Sequence, residues 1–456
     1  MKTIDKKQDL MLLVIILNIF LNSNVAAQNF LGYTGNYSGI SSVYQNPSSI
    51  ANSKLKLDIN IFTFGGHMQN SLYYIPKSSY NNINPFKNGF ADFDAYKGYA
   101  VNNKRNYLYT REQMYLPSLM FSNGKRAFAF HINWRFEAHV KNIPNDIVRS
   151  IYEGMYKGKN ITQDLNTVKH ADKFHFALAS WEELAATYSQ TLHHDVHQYF
   201  AAGITAKLLL GNAAYFVKNN AMDYYFSSNT GISFQNAHTS FGGVIPKGLI
   251  NGVGMGADIG VTYAVKDFGR PNNVSEYFNY KYKISLALLD IGGIRFNNAR
   301  KYHVNSYSSP TNTNGNTVNG LNEIQNTAQG MIVSPNITYF LPAALNAQFD
   351  YNFNDFFYVG AQYINNLKFT ACQVRRPTIL AITPRIEKRK FEMAMPLSLY
   401  DWRLPRMGFH IRILNFTFGT ESINWLIKLR DFTGVDGYFS VKFNIGKKEL
   451  SQPLFK

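Results

Sequence analysis

Residues 127–140 read AFAFHINWRFEAHV, and this stretch decides the fold. Successive side chains of a β-strand point to opposite faces. One face therefore carries apolar residues and the other polar ones; the apolar set is Phe128, Phe130, Ile132, Trp134 and Phe136, and the polar set is His131, Asn133, Arg135, Glu137 and His139. A membrane crossing needs a tilted strand of about 9–11 residues, so this pattern predicts a transmembrane strand. The preceding Asn123-Gly124 pair is typical of a tight hairpin.

The same alternation recurs along the chain. It is clearest at 199–208, 253–265, 279–288, 345–353, 406–412 and 438–445. Only a closed barrel can place strands in hydrocarbon, because it leaves no unpaired edge. We therefore expect an all-β fold: one transmembrane antiparallel β-barrel of about 14 strands. Replacing Ile132 or Ile204 on the lipid face with lysine is expected to destabilise the barrel. The same replacement at Asn133 or Thr205, on the inner face, is expected to be nearly neutral.

The composition agrees with this fold class. Charged residues make up 16% of the 456 positions and aromatic residues 15%, whereas a soluble domain has about 25% charged residues. The mean hydropathy is only −0.23, which excludes a polytopic helical membrane protein. A single cysteine, Cys372, excludes an intramolecular disulfide and a Cys-based zinc site, and it is expected to be a small packed side chain.

The connections between strands are expected to alternate in length, as in such barrels. Short turns are predicted at 122–125, 191–197, 266–276 and 354–355, and long polar segments at about 76–112, 141–173, 211–250 and 297–336. Within the second long segment, Ile143–Met155 has a helical period. It predicts a short amphipathic helix that either lines the barrel mouth or packs its loop down.

The N-terminus predicts export. Lys2, Lys6 and Lys7 precede an apolar stretch, Leu10–Leu21, and Val25 and Ala27 fit a cleavage site before Gln28. This is the pattern of a secretory signal peptide, and the expected location is the outer membrane. The chain carries a formal charge of +17. Export makes nucleic acid an unsuitable partner, so we expect outer-membrane lipid and lipopolysaccharide, a hydrophobic or anionic solute, or envelope proteins as partners.

No motif predicts an enzyme or a cofactor. Gly252-Val253-Gly254-Met255-Gly256 resembles a dinucleotide loop only superficially, because it lies inside an alternating strand without a following helix. The cluster 193–197, HHDVH, is interpreted as a solvated turn rather than a metal site. A nucleophile elbow and an HExxH motif are both absent from the sequence, so catalytic and metal residues are not expected.

Inward-facing basic residues are the candidate binding site. By alternation they are Arg135, Lys207, Lys281, Lys283, Arg406, His410 and Arg412. A lumen with net positive lining would favour an anionic ligand, such as a fatty-acid carboxylate. The alternative is that these groups form salt bridges across the barrel with inward acids.

Tyr44-Gln45-Asn46-Pro47-Ser48-Ser49-Ile50-Ala51 resembles the Asn-Pro-Ala element at the start of the long-chain fatty-acid transporter (FadL-like) outer-membrane barrels, with Ser48 in place of the usual Ala. In those barrels this region forms a hatch in the lumen. The resemblance therefore implies a plug at 28–52, with Asn46, Pro47 and Ser48 as its motif. The implied organisation is a signal peptide at 1–27, the plug, a barrel at 53–446 and a periplasmic tail at 447–456.

More closely, the chain looks like an uncharacterised family of Bacteroidota outer-membrane barrels. The similar segments are Phe200–Lys207, Leu288–Gly292, Leu341–Leu345 and Phe418–Glu421. That resemblance implies a plugged barrel with kinship to barrel subunits of gliding and secretion machinery.

Two functions remain open at this point. One is uptake or passage of hydrophobic or amphipathic anionic small molecules. The other is a non-conducting barrel that acts as a structural or secretion and envelope-complex interaction protein. A continuous apolar pocket ending in Arg or Lys near the plug would favour the first, and a tightly filled lumen the second.

Overall fold

The computed structural model describes a β-barrel over most of the chain. The described residues are 31–77, 98–99, 106–151, 166–227, 231–266, 277–307, 332–354, 356–370, 373–424, 431 and 433–446. The predicted signal peptide, residues 28–30 of the predicted plug, the periplasmic tail and Cys372 lie outside these residues. Within them, no helix is both long and apolar enough to cross a membrane.

Strands dominate the described chain. In chain order they are β1 Leu55–Asn70, β2 Tyr73–Tyr74, β3 Gly98–Tyr99, β4 Tyr107–Tyr115, β5 Ser118–Ser122, β6 Arg126–Lys141, β7 Lys169–Ala171, β8 His175–His194, β9 Gln198–Ser227, β10 Gly231–Val244, β11 Gly252–Lys266, β12 Tyr280–Phe296, β13 Ala299–Tyr307, β14 Ile332–Ser334, β15 Ile337–Phe340, β16 Ala344–Asn352, β17 Phe357–Asn366, β18 Ile379–Lys388, β19 Phe391–Ala394, β20 Leu397–Tyr400, β21 Leu404–Met407, β22 Phe409–Ile413, β23 Phe416–Thr420 and β24 Gly434–Gly446. One short α-helix, α1, covers Asn145–Ile151, and 3₁₀ turns cover Gly39–Tyr44 and Pro47–Ile50.

All strands except β2 and β3 belong to one antiparallel sheet that closes on itself. β1 pairs with β24 on one side and with β4 and β5 on the other. Several crossings consist of two or three strands in series, such as β10 with β11, which pair with successive parts of β9. The closed sheet has 14 crossings, which confirms the predicted fold and strand number. The end with the short turns is the periplasmic end in barrels of this kind.

The two faces of the wall are as the alternation predicts. On the outside, Phe130 is 61% exposed and Ile204 is 50% exposed. Their neighbours Asn133 and Thr205 point inward and are almost completely buried. The expectation that lysine would be neutral at these two inward positions is therefore wrong. Asn133 accepts a hydrogen bond from Tyr44, and the Thr205 hydroxyl bonds that of Thr187, so a longer side chain has no room.

The predicted loop at 211–250 is wrong. β9 continues to Ser227 and pairs with β10, so two strands extend the wall where a polar loop was expected. The predicted helix is present as α1, and its Ile147 packs with Tyr224 and Phe226 of this extension. Helix α1 thus packs its loop against the extension. Similarly, β4 begins at Tyr107, inside the long segment predicted at 76–112.

Lys281 does not face the lumen. A register irregularity between β11 and β12 at Lys266 and Tyr280 inserts one residue, so the alternation changes face there. Tyr280 points inward and donates a hydrogen bond to Asp350, while the Lys281 ammonium lies 5.0 Å from the ring of Tyr351. Tyr351 shares the outer face of β16 with the exposed Phe349. The inward assignment of Lys281 is corrected by this β-bulge.

Candidate functional site in the barrel lumen

An internal segment, defined here as residues 31–53, lies in the lumen. It makes hydrogen bonds with residues around the whole barrel. The segment donates from Leu31 N–H to Glu421, from Asn36 N–H to Glu387, from Tyr44 to Asn133 and from Asn46 to the Val261 carbonyl, and it accepts from Asn346 at the Gln45 carbonyl and from Lys442 at the Ser38 carbonyl. These partners lie on β6, β11, β16, β18, β24 and just after β23. The segment therefore spans the barrel interior rather than lying along one wall.

Asn46, Pro47 and Ser48 form a turn inside the lumen. Asn46 is extended, as the residue before a proline prefers, and its side chain accepts hydrogen bonds from the Ser48 N–H at 2.9 Å and the Ser48 hydroxyl at 2.7 Å. Its amide also donates to the Val261 carbonyl at 3.1 Å, and the Ser48 hydroxyl lies 2.7 Å from that of Thr262. The three residues of the predicted plug motif thus fasten the internal segment to β11.

Two inward glycines make room for this turn. A Cβ added to Gly260 would overlap the Asn46 side-chain oxygen, and one added to Gly203 would lie 2.6 Å from the Pro47 carbonyl carbon. Ordinary Cβ contacts are 3.4 Å or longer. The wall of β9 and β11 is therefore shaped to receive Asn46 and Pro47.

A network of buried ion pairs lies in the lumen. It has four cations and four carboxylates: Arg111, Arg135, Lys207 and Arg376 with Glu137, Glu183, Asp258 and Asp290. Arg135 contacts Glu183 at 2.6 Å and Asp290 at 2.9 Å, and Lys207 contacts Asp258 at 2.8 Å. The positive charges are matched within the network, so it presents no excess charge to a ligand.

Asp290 reaches this network through a β-bulge. The register of β11 and β12 shifts between Ala257 and Ile259, and Asp290 adopts a left-handed conformation with φ of 56°. Before the bulge, the even-numbered residues of β12, such as Leu286, face lipid. After the bulge, the even-numbered residues face the lumen, and Ile294 is completely buried. The inserted residue reverses the alternation, so the carboxylate points inward.

An inward loop, residues 373–378, enters the lumen between β17 and β18. Arg376 pairs with Glu137 at 2.6 Å and with Asp290 at 2.9 Å. Val374 is completely buried with Trp181, Phe216 and other apolar side chains. The sequence analysis missed this loop because 373–378 has no strand or helix period and its charged residues resemble a surface turn.

The remaining predicted basic residues also lie near acidic or hydroxyl groups, with Lys283 at the longest distance from its carboxylate. Arg406 lies 3.5 Å from Asp436, Arg412 lies 3.2 Å from Glu392, and Lys283 lies 3.8 Å from Asp350. The His410 ring nitrogen Nδ1 lies 2.6 Å from the Tyr438 hydroxyl. Salt bridging across the lumen, the alternative that the sequence left open, therefore describes the basic residues better than a net positive lining does.

Several of the acidic partners were missed. Glu183, Glu387 and Glu392 lie on alternating strands, so the same face assignment applied to β8, β18 and β19 would have found them. Asp290 could not be found in this way, because its bulge reverses the faces.

The HHDVH cluster is a turn at the periplasmic end. Asp195 accepts hydrogen bonds from the backbone N–H groups of His197 and Gln198 and lies 2.9 Å from the His193 ring. These bonds, that of His197 first, lower the pKa of Asp195 to about 2. Across the described residues, no group of three or more His, Cys, Asp and Glu side chains could hold a metal ion.

Two spaces adjoin the site. A cavity of about 40 Å³ lies between the internal segment and the wall, lined in part by Lys283, Ser285 and Gln348. An open groove of about 890 Å³ lies on the lipid-facing side beside Pro117, where β4 ends and β5 begins. Its apolar lining includes Leu119, Phe130 and Met255.

The apolar outer band, the closed sheet and the asymmetric connections define an outer-membrane β-barrel. The chain belongs to a family of unknown function, DUF5723, whose sequence profile matches residues 47–421. No curated protein matches the sequence.

Similar solved structures include a Pseudomonas aeruginosa FadL homologue, at 10% identity and a TM-score of 0.39, with 88% of this chain and 93% of that chain covered. The Pseudomonas putida toluene transporter TodX is also similar, at 6% identity and a TM-score of 0.31, with 89% and 92% covered. Because both TM-scores lie below 0.5, the function of this chain has to be inferred from its own lumen.

Proposed function

We propose that this barrel passes small hydrophobic or amphipathic molecules across the outer membrane and that the internal segment is its gate. The observation that carries the proposal is how that segment is held. Its polar contacts with the wall are individual side-chain hydrogen bonds, such as Asn46 to Val261 and Asn346 to Gln45, and not a strand ladder. Apolar side chains such as Ile40 and Ile50 also pack against the wall. Each hydrogen bond contributes about 0.5–1.5 kcal/mol, and no strand pairing has to break when the segment moves.

The apolar groove beside Pro117 supports an apolar cargo. Its lining by Leu119, Phe130 and Met255 would hold a hydrocarbon portion at the lipid-facing wall. The preference for an anionic headgroup has weaker support, because Arg135, Lys207 and Arg412 are already paired with carboxylates. We therefore propose that the barrel recognises its cargo mainly through the hydrophobic part and not through an anionic headgroup.

The filled lumen favours a second function. Among the described residues, the internal segment and the inward loop both lie in the lumen, a cavity of about 40 Å³ lies beside the segment, and the β9–β10 extension adds a surface at the end of the barrel away from the short turns. A barrel of this kind could bind envelope partners and pass nothing. Native mass spectrometry of the detergent-extracted protein distinguishes the two, since a co-purified lipid supports passage and a co-purified protein the partner role.

Deletion of Gln28–Asn52 tests the gate directly. The strands of the barrel all begin downstream, so the variant is expected to assemble and to show higher conductance than the full chain in planar bilayers. Folding is checked by the heat-modifiable mobility of the barrel. A folded deletion variant whose conductance stays at the level of the full chain, both by itself and combined with Arg376→Gln in the inward loop, would exclude the gated-channel function and leave the partner-binding one.

A milder variant separates gating from loss of the segment. Gly260→Ala places a methyl group against the Asn46 side chain and is expected to raise conductance. Gly360→Ala is the matched control, because its Cβ would meet only wall atoms, the nearest being Asp350 at 3.4 Å. Equal conductance of both variants would contradict a gate fastened at Asn46.

A further inference from the structure

The small cavity beside the internal segment has the size of an ion site. Its volume is about 40 Å³, and a single water needs about 10–15 Å³ on the same measure. It would therefore hold about three waters, or one halide ion with a water, and no hydrocarbon chain. The internal segment contributes Thr34 and Ser48 to its lining, and the wall contributes Thr262, Lys283 and Gln348. An occupant would touch both.

The cavity is lined by one cation and no acid. Lys283 is the only charged residue among the described residues that line it. Its carboxylate neighbour, Asp350, lies 3.8 Å away and is already occupied. Both guanidinium NH groups of Arg385 donate to Asp350 at 2.7 Å, and Tyr280 donates a further hydrogen bond.

The local charges leave one positive charge uncompensated. Glu387 is shared by Arg385 at 3.1 Å and Lys54 at 3.5 Å. The group thus contains three cations, Arg385, Lys54 and Lys283, and two carboxylates, Asp350 and Glu387. A buried charge without a full partner is strongly unfavourable, so an anion next to Lys283 would be stabilising.

Two residues that line the cavity each carry a buried hydrogen-bond donor that no described residue pairs with. The buried side-chain nitrogen of Gln348 and the buried hydroxyl of Thr34 make no hydrogen bond with any described residue, although both residues line the cavity. An amide NH₂ can only donate, and a hydroxyl can donate. Ammonium, amide and hydroxyl donors around a space of ionic size are the groups that bind an anion.

We propose that this cavity is a binding site for a small monovalent anion, such as chloride, held by Lys283 and Gln348 of the wall and by Thr34 of the internal segment. The anion neutralises Lys283 and bridges the segment to β12 and β16. It is separate from the proposed cargo, because a hydrophobic molecule does not fit the cavity. The anion would therefore strengthen the closed state whether or not the barrel transports anything.

Bromide provides a direct test on the unaltered protein. Crystals of the full chain soaked in sodium bromide are expected to show an anomalous peak in the cavity, within about 3.5 Å of the Lys283 nitrogen and the Gln348 nitrogen, as for a hydrogen-bonded donor. Ordered water in the cavity with no anomalous peak would overturn the proposal. This measurement does not depend on conductance, so it fails or succeeds independently of the gate.

Thermal unfolding in detergent tests the role of Lys283. At constant ionic strength, the melting temperature is expected to rise by a few degrees when chloride or acetate replaces the much larger gluconate. Lys283→Met should abolish this dependence. Lys281→Met is the matched control two residues away, on the outer face, and should keep it. The proposal would be overturned if the melting temperature depended on the anion equally in both variants, or if it were the same in all three salts.

Discussion

At the residue scale, Asp290 is the residue on which the lumen network most depends. Its carboxylate contacts Arg135, Lys207 and Arg376 from three different parts of the chain. Removing one partner from a buried ion-pair network costs about 3–5 kcal/mol, because the remaining charges stay buried. Asp290→Asn keeps the shape and is expected to lower the free energy of unfolding by about that amount, measured by urea denaturation.

Asp172→Asn is the control for this change. The side chain of Asp172 is 99% exposed, so its neutralisation should alter the free energy of unfolding by less than about 0.5 kcal/mol. If both variants unfold at the same urea concentration, the network does not stabilise the barrel.

Residues also show where sequence reasoning reached its limit. Alternation placed Arg135, Lys207 and Lys283 correctly on the inner face, because period two is fixed by backbone geometry. It failed at Lys281 and could not find Asp290, since each lies at a bulge where one extra residue reverses the faces. The pairing of the basic residues could not be predicted either, because their partners come from strands far apart in sequence.

At the scale of elements, β9 shows both a correct prediction and a wrong one. Its first half alternates as expected, whereas its second half lies in the predicted polar segment at 211–250 and contains small and polar residues such as Gly211, Asn212 and Asn219. Those residues are tolerated because the second half is paired on both sides, with β8 and β10. Pairing between strands therefore decides what local composition leaves open.

The two halves of this sheet should respond differently to lysine. Ile204→Lys in β9 places a charge on the lipid-facing side near the membrane centre, where it costs about 2–4 kcal/mol. His238→Lys in β10 lies on the exposed extension and should be neutral. Folding titrations into lipid vesicles measure both. A loss of stability at His238 equal to that at Ile204 would place the extension inside the membrane.

At the scale of the whole molecule, two structures occupy the lumen in series. The internal segment is fastened at Asn46 to β11, and the inward loop is fastened by Arg376 to Glu137 on β6 and Asp290 on β12. They derive from opposite ends of the barrel. The segment leads into β1 at the end with the short turns, and the inward loop follows β17, which ends at the opposite side. A molecule that crosses the barrel would have to pass both.

Two closures in series predict a non-additive result. Arg376→Gln alone is expected to leave the conductance of the full chain unchanged, because the internal segment still fills the lumen. In the Gln28–Asn52 deletion background, the same substitution should raise conductance above that of the deletion by itself, because the inward loop loses both carboxylate partners. Arg375→Gln is the control, since its side chain is exposed and its backbone N–H, the group that bonds a described residue, donates to His139. If Arg376→Gln has no effect in either background, the inward loop is part of the wall and the internal segment is the sole closure.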